Sequence, residues 1–370
     1  MGNTDWYTIN EAECIASPAL VFYEDRIQRN IDLLLEMIGD TSRLRPHVKT
    51  HKSADLSKLM IAKGITSFKC ATIAEAEMLG HCGASDVLLA YQPVGPNGIR
   101  FLELMQKFPE TKFSCLVDDF IVAQILSTAA SQREISVDVY IDLNVGMNRT
   151  GISIARASDL AAQLLKLPAL KLLGLHAYDG HIHDTSIELR RRKVADILSE
   201  IFPLKDKIAS FYSGSLTIVA GGTPTFPIYA EREDVVCSPG TFALWDKGYR
   251  DAFEEQQFLP AALLLCRVVS VPAPGLICVD LGHKAVAAEN VLQKRVVFLN
   301  APDLEPVSQS EEHLVLKVSD GVKYQIGDVL YGLPFHICPT VALHETAQLI
   351  SEGKLKSLWP ITSRKRKITI

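Results

Sequence analysis

The chain has 370 residues, 48% of them hydrophobic and 22% charged, with a formal net charge of −5. That is the make-up of an ordinary folded protein with room for two domains. It carries no basic field for nucleic acid, and no apolar run reaches membrane-spanning length.

The start, Met1-Gly2-Asn3-Thr4-Asp5-Trp6, has neither a basic stretch nor an apolar h-region, so a cytoplasmic location is the expectation. The eight cysteines form no C-x-x-C pair, and most sit in apolar runs such as Leu276-Ile277-Cys278-Val279. Free thiols in a reducing compartment follow from that. The basic run Arg364-Lys365-Arg366-Lys367 is short and reads as solvated.

In chain order, Ala19–Tyr23 is a short apolar strand. Asp25 to Ile38 is an amphipathic helix with Ile27, Ile31, Leu34, Leu35 and Ile38 on one face. Arg43-Leu44-Arg45-Pro46-His47-Val48 follows as an extended stretch that ends at Lys49 and leads into a helix with Leu56, Leu59 and Met60 on one face. Strand-like runs then recur at 66–71, 86–91, 112–117, 136–143, 171–177, 215–220 and 234–237. Helical segments separate most of them, near 73–81, 98–108, 119–130, 155–166 and 185–207. Counted from the Lys49 stretch, this is about eight β units in about 200 residues, which predicts a (β/α)8 TIM-type barrel ahead of an open doubly wound sheet. After about residue 245 helical periodicity fades, and short apolar runs alternate with Gly and Pro. The expected division is a barrel over 15–243 and a C-terminal all-β domain over 244–370, the latter joined by residues 1–14.

Polar clusters fall at the C-terminal ends of the predicted barrel strands, the face on which such barrels carry their chemistry. They are Lys49-Thr50-His51, Asn144 to Gly151, His176 to His181, Gly221-Gly222-Thr223 and Ser238-Pro239-Gly240-Thr241. An isolated lysine is far more often an ordinary loop residue, and Gly-Gly-Thr an ordinary turn. Together they suit pyridoxal 5′-phosphate. Its aldehyde needs a lysine, and its phosphate needs backbone N–H groups that approach closely at Gly222 and Gly240, with hydroxyls at Thr223 and Thr241.

Arg45-Pro46-His47-Val48-Lys49-Thr50-His51-Lys52 resembles the cofactor-lysine motif of the D-threonine aldolase and D-serine dehydratase family, fold-type III pyridoxal phosphate enzymes with an alanine-racemase-like barrel. Gly146-Met147-Asn148-Arg149-Thr150-Gly151 resembles the segment whose arginine approaches the cofactor's phenolic oxygen, and Tyr178 falls where that fold has its ring-stacking residue. Asp280-Leu281-Gly282-His283-Lys284-Ala285 also matches the family, with no role assigned. The resemblance runs from about residue 15 to the C-terminus. One departure is informative: racemases have an arginine just before the Pro-Gly after the last barrel strand, and this chain reads Cys237-Ser238-Pro239-Gly240.

His336-Ile337-Cys338 is expected at the end of a β segment, where residues two apart face the same way. Alone it reads as a core Cys beside a surface His. With the resemblance it becomes a divalent-metal site, zinc ahead of manganese because of the thiolate. His181-x-His183 with Asp184 is a weaker metal pattern, and His47 and His51 are expected to orient groups near Lys49. The resemblance implies a lyase for D-3-hydroxy-α-amino acids, with Lys49 as catalytic and cofactor lysine. His-x-Cys is similar to the dehydratases of the family, which tilts the expectation to β-elimination over retro-aldol cleavage to glycine and an aldehyde. An amino-acid racemase would not need His336 and Cys338. The family implies a homodimer, and no nucleic acid or membrane partner is expected.

Overall fold

A computed structural model describes residues 5–370. The expectations placed on residues 1–4 lie outside the described residues. Two compact units emerge: residues 34–49, 56–240 and 365–370 form one, and residues 5–33, 50–55 and 241–364 form the other. Strand β1 (Ala19–Tyr23) opens the chain, followed by helix α1 (Glu24–Ile38) with Ile27, Ile31 and Leu34 fully buried.

The first unit is a parallel barrel. After α2 (Ala54–Ala62) come β2 (Ser67–Cys70), α3 (Ile73–His81), β3 (Asp86–Leu89), α4 (Pro96–Lys107), β4 (Lys112–Val117), α5 (Phe120–Ser131) and β5 (Val137–Asn144). They are followed by the two-residue β6 (Ile152–Ser153), α6 (Ile154–Leu164), β7 (Leu170–Ala177), α7 (Ile187–Ala209), β8 (Thr217–Ala220), α8 (Phe226–Ala230) and β9 (Val236–Cys237). Side-chain caps fix several helix starts: Thr72 accepts from the Glu75 N–H and Asp119 from the Val122 N–H. The sheet runs β2-β3-β4-β5-β7-β8-β9, all parallel.

Residues 44–48 close the ring. Leu44 bridges Cys237 on one side and His47 bridges Lys69 on the other. The Arg45 and His47 N–H groups donate to the Cys237 and Pro239 carbonyls at 2.9 and 3.0 Å, and the Lys69 N–H donates to the Pro46 carbonyl at 2.9 Å. This eighth stave is not a regular strand because Pro46 has no N–H to give. Inside the barrel, Leu88, Leu116, Tyr140 and Val219 make one buried apolar layer. Fully burying each aliphatic side chain is worth roughly 1.5–3 kcal/mol. Two residues further along their strands, on the same inward face, come Ala90 and Asp142. There the interior turns polar.

The second unit holds β1 in its sheet, paired antiparallel with β10 (Ala262–Ala273) and parallel with β16 (Thr346–Ser351). Strand pairing therefore places Ala19–Tyr23 in this unit, although the expected barrel range of 15–243 includes it. A fully buried strand flanked by a helix carries the same local pattern in either place. The remaining strands are β11 (Leu276–Val279), β12 (Val296–Phe298), β13 (Glu305–Gln309), β14 (Leu314–Lys317), β15 (Val329–Pro334) and β17 (Lys354–Pro360). The unit is mostly rather than wholly β: α9 (Lys247–Ala252) and α10 (Ile337–Leu343) belong to it. Among the described residues no helix is long and apolar enough to cross a membrane.

Candidate active site

Lys49 sits at the open end of the barrel. The ring of His47 accepts the Lys49 backbone N–H at 3.3 Å through Nδ1, which shapes the turn that presents the lysine. His51 does not share that task. Its Nδ1 accepts from the Ser53 N–H at 3.1 Å, and burial pushes its imidazole down to about 3. The barrel mouth encloses a cavity of about 290 Å³, lined by Lys49, Lys69, Asp142, Arg149, His176 and Tyr178 among others. Three cations surround one aromatic ring: Lys49 Nζ, Lys69 Nζ and Arg149 Cζ lie 5.5, 5.2 and 5.2 Å from the Tyr178 ring centroid.

Each of these positions has a local cause. Arg149 rides on a loop that Asn144 organises, because its Oδ1 accepts from both the Gly146 and Asn148 N–H groups at 3.1 Å. Asp118 accepts the Gly151 N–H at 2.9 Å and pins the far side of that loop. Tyr178 follows β7 directly. Gly222 lies against its ring, and a Cβ there would come within 3.0 Å of Tyr178 Cε2. Gly221 is held at φ +75°, and a Cβ on it would lie 2.7 Å from the Tyr229 ring, so the turn after β8 needs glycine twice over.

The floor of the cavity is a buried polar cluster. His176 Nδ1 donates to Asp142 Oδ1 at 2.7 Å. Burial, together with the charge of Lys69, pushes the His176 imidazole down to about 4, so it is neutral near pH 7 and its Nε2 is a buried acceptor with no partner. Burial opposes the charge of Asp142, but the bonds from His176 and Thr150 win and hold its carboxyl below the usual range. Lys69 is 2% exposed and its Nζ has no hydrogen-bond partner. Burial, and next the charge of Lys49, push its ammonium down to about 7.

Sequence reasoning missed Lys69 and Asp142. The signal was present: in Phe68-Lys69-Cys70 a charged residue alternates with two apolar ones, and a barrel strand turns alternate residues inward.

The residues expected to cradle a phosphate are in part already bonded among themselves. The Gly240 N–H donates to Thr223 Oγ1 at 3.0 Å and the Gly222 N–H to Thr225 Oγ1 at 3.2 Å. Asp179, whose acid burial pushes up to about 6, accepts from Thr225 Oγ1 at 3.0 Å, and the buried Arg190 donates to the Pro224 carbonyl. Gly222, Thr223 and Gly240 thus come together on one ordered loop pair, but none of them lines the cavity that holds Lys49. Thr241 belongs to the other unit, where its hydroxyl lies 3.7 Å from Cys338 Sγ.

In that unit His336 and Cys338 are brought together, though not as expected. Strand β15 ends at Pro334; His336 is the N-cap of α10 and Cys338 lies in its first turn. The pair is gathered by a helix start, which Pro339 tolerates, and not by strand alternation. His336 Nδ1 lies 2.6 Å from Glu289 Oε1, and Thr50 Oγ1 lies 3.2 Å from Cys338 Sγ. Burial works against a charged His336, but Cys338 and then Glu289 overcome it and hold the imidazole up to about 9. A histidine bonded through Nδ1 to a carboxylate keeps Nε2 for a metal, and the adjacent thiol suits zinc. The donor set therefore fits a two-ligand divalent ion. Among the described residues no group of three or more His, Cys, Asp and Glu is placed to hold a metal. Asp184, the third member of the rival pattern, is instead paired with Lys193 at 2.7 Å.

Two family models match the chain. One described as "Alanine racemase, N-terminal domain" matches residues 23–211, and one described as "Putative serine dehydratase domain" matches residues 261–350. The chain is similar to a 3-hydroxy-D-aspartate aldolase of Paracoccus denitrificans (strain Pd 1222), at 28% identity over 96% of this chain and 94% of the relative. It is also similar to a D-threo-3-hydroxyaspartate dehydratase of Delftia sp. (strain HT23), at 24% identity over 93% of this chain and 96% of that one. Among solved structures, the D-threonine aldolase from Filomicrobium marinum aligns with a TM-score of 0.87 at 25% identity, covering 96% of this chain and 97% of that one.

Proposed function

The chain belongs to the D-threonine aldolase and D-serine dehydratase family of fold-type III pyridoxal phosphate enzymes, built on the alanine racemase N-terminal domain, and from that premise we propose that it is a lyase of D-3-hydroxy-α-amino acids whose reaction is β-elimination. The observation that carries the reading is Lys49, turned into the barrel-mouth cavity beside Tyr178 and Arg149. Bound pyridoxal 5′-phosphate supplies an electron sink for the bonds at the substrate's Cα. Lys49 would anchor it, and its Nζ would take the α-proton. Tyr178 offers the ring face. Arg149 would meet the phenolic oxygen, as the resemblance implies, and Gly222, Thr223, Gly240 and Thr241 would serve the phosphate.

His336 and Cys338 would hold the divalent ion, zinc ahead of manganese, with Glu289 fixing the imidazole. The chemistry such an ion would supply is Lewis acidity toward a β-hydroxyl. Cys338 supports elimination, since the resemblance ties the Cys form to dehydratases. The second reading, retro-aldol cleavage, is favoured by the higher identity to a protein named an aldolase, 28% against 24%. A homodimer is part of the proposal, to be read from the mass in solution.

The test is an assay of protein loaded with pyridoxal 5′-phosphate and zinc on D-threonine, D-serine and D-3-hydroxyaspartate, with products quantified. Ammonia and a 2-oxo acid are expected. Glycine and an aldehyde would establish the second reading. No product from any of them, with or without EDTA, sinks the lyase reading.

A further inference from the structure

Lys69 is a buried amine that its surroundings leave unbonded. It projects from β2 into the cavity of Lys49, almost wholly buried, with no hydrogen-bond partner at Nζ. Chains do not bury an amine this way without cost. Methionine would fill the same space with no polar atom to leave unmatched. The strand is held in register next to the Lys49 stave by the His47–Lys69 bridge, so the side chain is placed and not wandering. The charged groups that act on it are Lys49 and Arg149, which repel its proton, and Asp142 and Asp179, which attract it. His176 also lines the cavity, its Nε2 unpartnered as well. Neither carboxylate forms a hydrogen bond with Nζ. Asp142, the carboxylate in that lining, is engaged by His176 and does not bond Nζ, so an anionic oxygen of a ligand, shared with Lys49 and Arg149, would give Lys69 its partner.

We propose that Lys69 is a second ligand-binding amine of the site, donating from Nζ to an anionic ring oxygen of bound pyridoxal 5′-phosphate. The proposal rests on the cofactor reading above. Lys49 makes the covalent link, and Lys69 makes only a charge-assisted hydrogen bond. A positive charge near that link disfavours its protonated form, so Lys69 keeps the link easier to deprotonate. Arg149 then has a partner in the task that the resemblance gave to it alone.

The experiment compares wild type, Lys69→Met and Lys69→Arg after loading with pyridoxal 5′-phosphate. Two quantities are read: the pH midpoint of the visible absorption of the protein-bound cofactor, and the cofactor's dissociation constant. Lys69→Met is expected to raise the midpoint by about one pH unit, the scale of one nearby charge, and to weaken binding about tenfold. Lys69→Arg is expected to stay closer to wild type in both. A purely structural lysine would leave the midpoint unmoved, and an unmoved midpoint with unchanged affinity in Lys69→Met overturns the proposal. Borohydride reduction followed by peptide mapping separates the two readings. No adduct on wild-type Lys49 removes the cofactor reading itself, and an adduct on Lys69 shows that it is the covalent lysine and not the partner described here.

Discussion

Glu289 Oε1 lies 2.6 Å from His336 Nδ1, so the imidazole that faces Cys338 is held by a carboxylate from behind. Such outer partners set ring orientation and raise ligand basicity, and losing one costs about 10–100-fold in metal affinity. Glu289→Gln should therefore weaken zinc binding by about that factor, measured by competition with a chromophoric chelator. Cys338→Ala should remove stoichiometric metal altogether while the visible cofactor band remains. Because the metal-free imidazole is held up to about 9, zinc must displace a proton, and the affinity should climb as pH rises toward that value. A zinc affinity indifferent to Glu289 would mean that the contact is only a surface ion pair.

The barrel was readable from the sequence because each βα unit carries its own signal: an apolar run, a turn and an amphipathic helix. Residues 44–48 were readable as an extended stave even though Pro46 keeps them from regular pairing. The assignment of β1 was not readable, since a fully buried apolar strand looks the same in a barrel and in an antiparallel sheet. Lys49 was legible from its place at a predicted strand end, Arg149 and Tyr178 through motif resemblance, and all three line one cavity. Asp142 and Lys69 escaped notice because an isolated charged residue in a strand is ambiguous until its inward direction is known. The His336–Cys338 pair was expected at a strand end and sits instead at a helix start, where Pro339 was the available clue.

Lys49→Ala removes the only amine proposed both to link the cofactor and to carry the α-proton. Turnover should fall on the order of 10²–10⁴-fold for the proton-transfer role alone, with the covalent role adding to that. The sharper check is chemical. Borohydride should fix the cofactor to wild type and leave no adduct at position 49 in the variant. An adduct of full yield elsewhere in wild type would show that Lys49 is not the linking residue.

Arg45 is buried inside the barrel, with its guanidinium bidentate to Asp86 at 2.6 and 2.9 Å and 5.8 Å from the Tyr140 ring. Burial disfavours its charge, but Asp86 more than compensates and its pKa is raised. Removing one partner of a buried pair strands the other, typically at a cost of about 3–5 kcal/mol; the partial exposure of Asp86 puts this pair at the lower end. Asp86→Ala should lower the chemical denaturation midpoint accordingly. Arg45 lies in the stave that ends at Lys49, so cofactor uptake should weaken in the same variant. Unchanged stability would show that water reaches the guanidinium.

Lys69 also gives a stability prediction with a definite sign. Its folded-state pKa of about 7 lies below the ordinary lysine value of 10.5, so between those pH values the unfolded chain binds more protons than the folded one. Stability of the cofactor-free protein must then rise with pH across that window, and the penalty is fully present below pH 7. Lys69→Met removes the penalty. At pH 6 the variant should be more stable than wild type by an amount on the order of a few kcal/mol. The gap should close as pH rises toward 10.5, in urea titrations run at several pH values. Adding pyridoxal 5′-phosphate should narrow the gap even at pH 6, because an anionic oxygen gives the wild-type ammonium its missing partner and gives methionine nothing. A gap that neither pH nor the cofactor alters would place the Lys69 amine in contact with water.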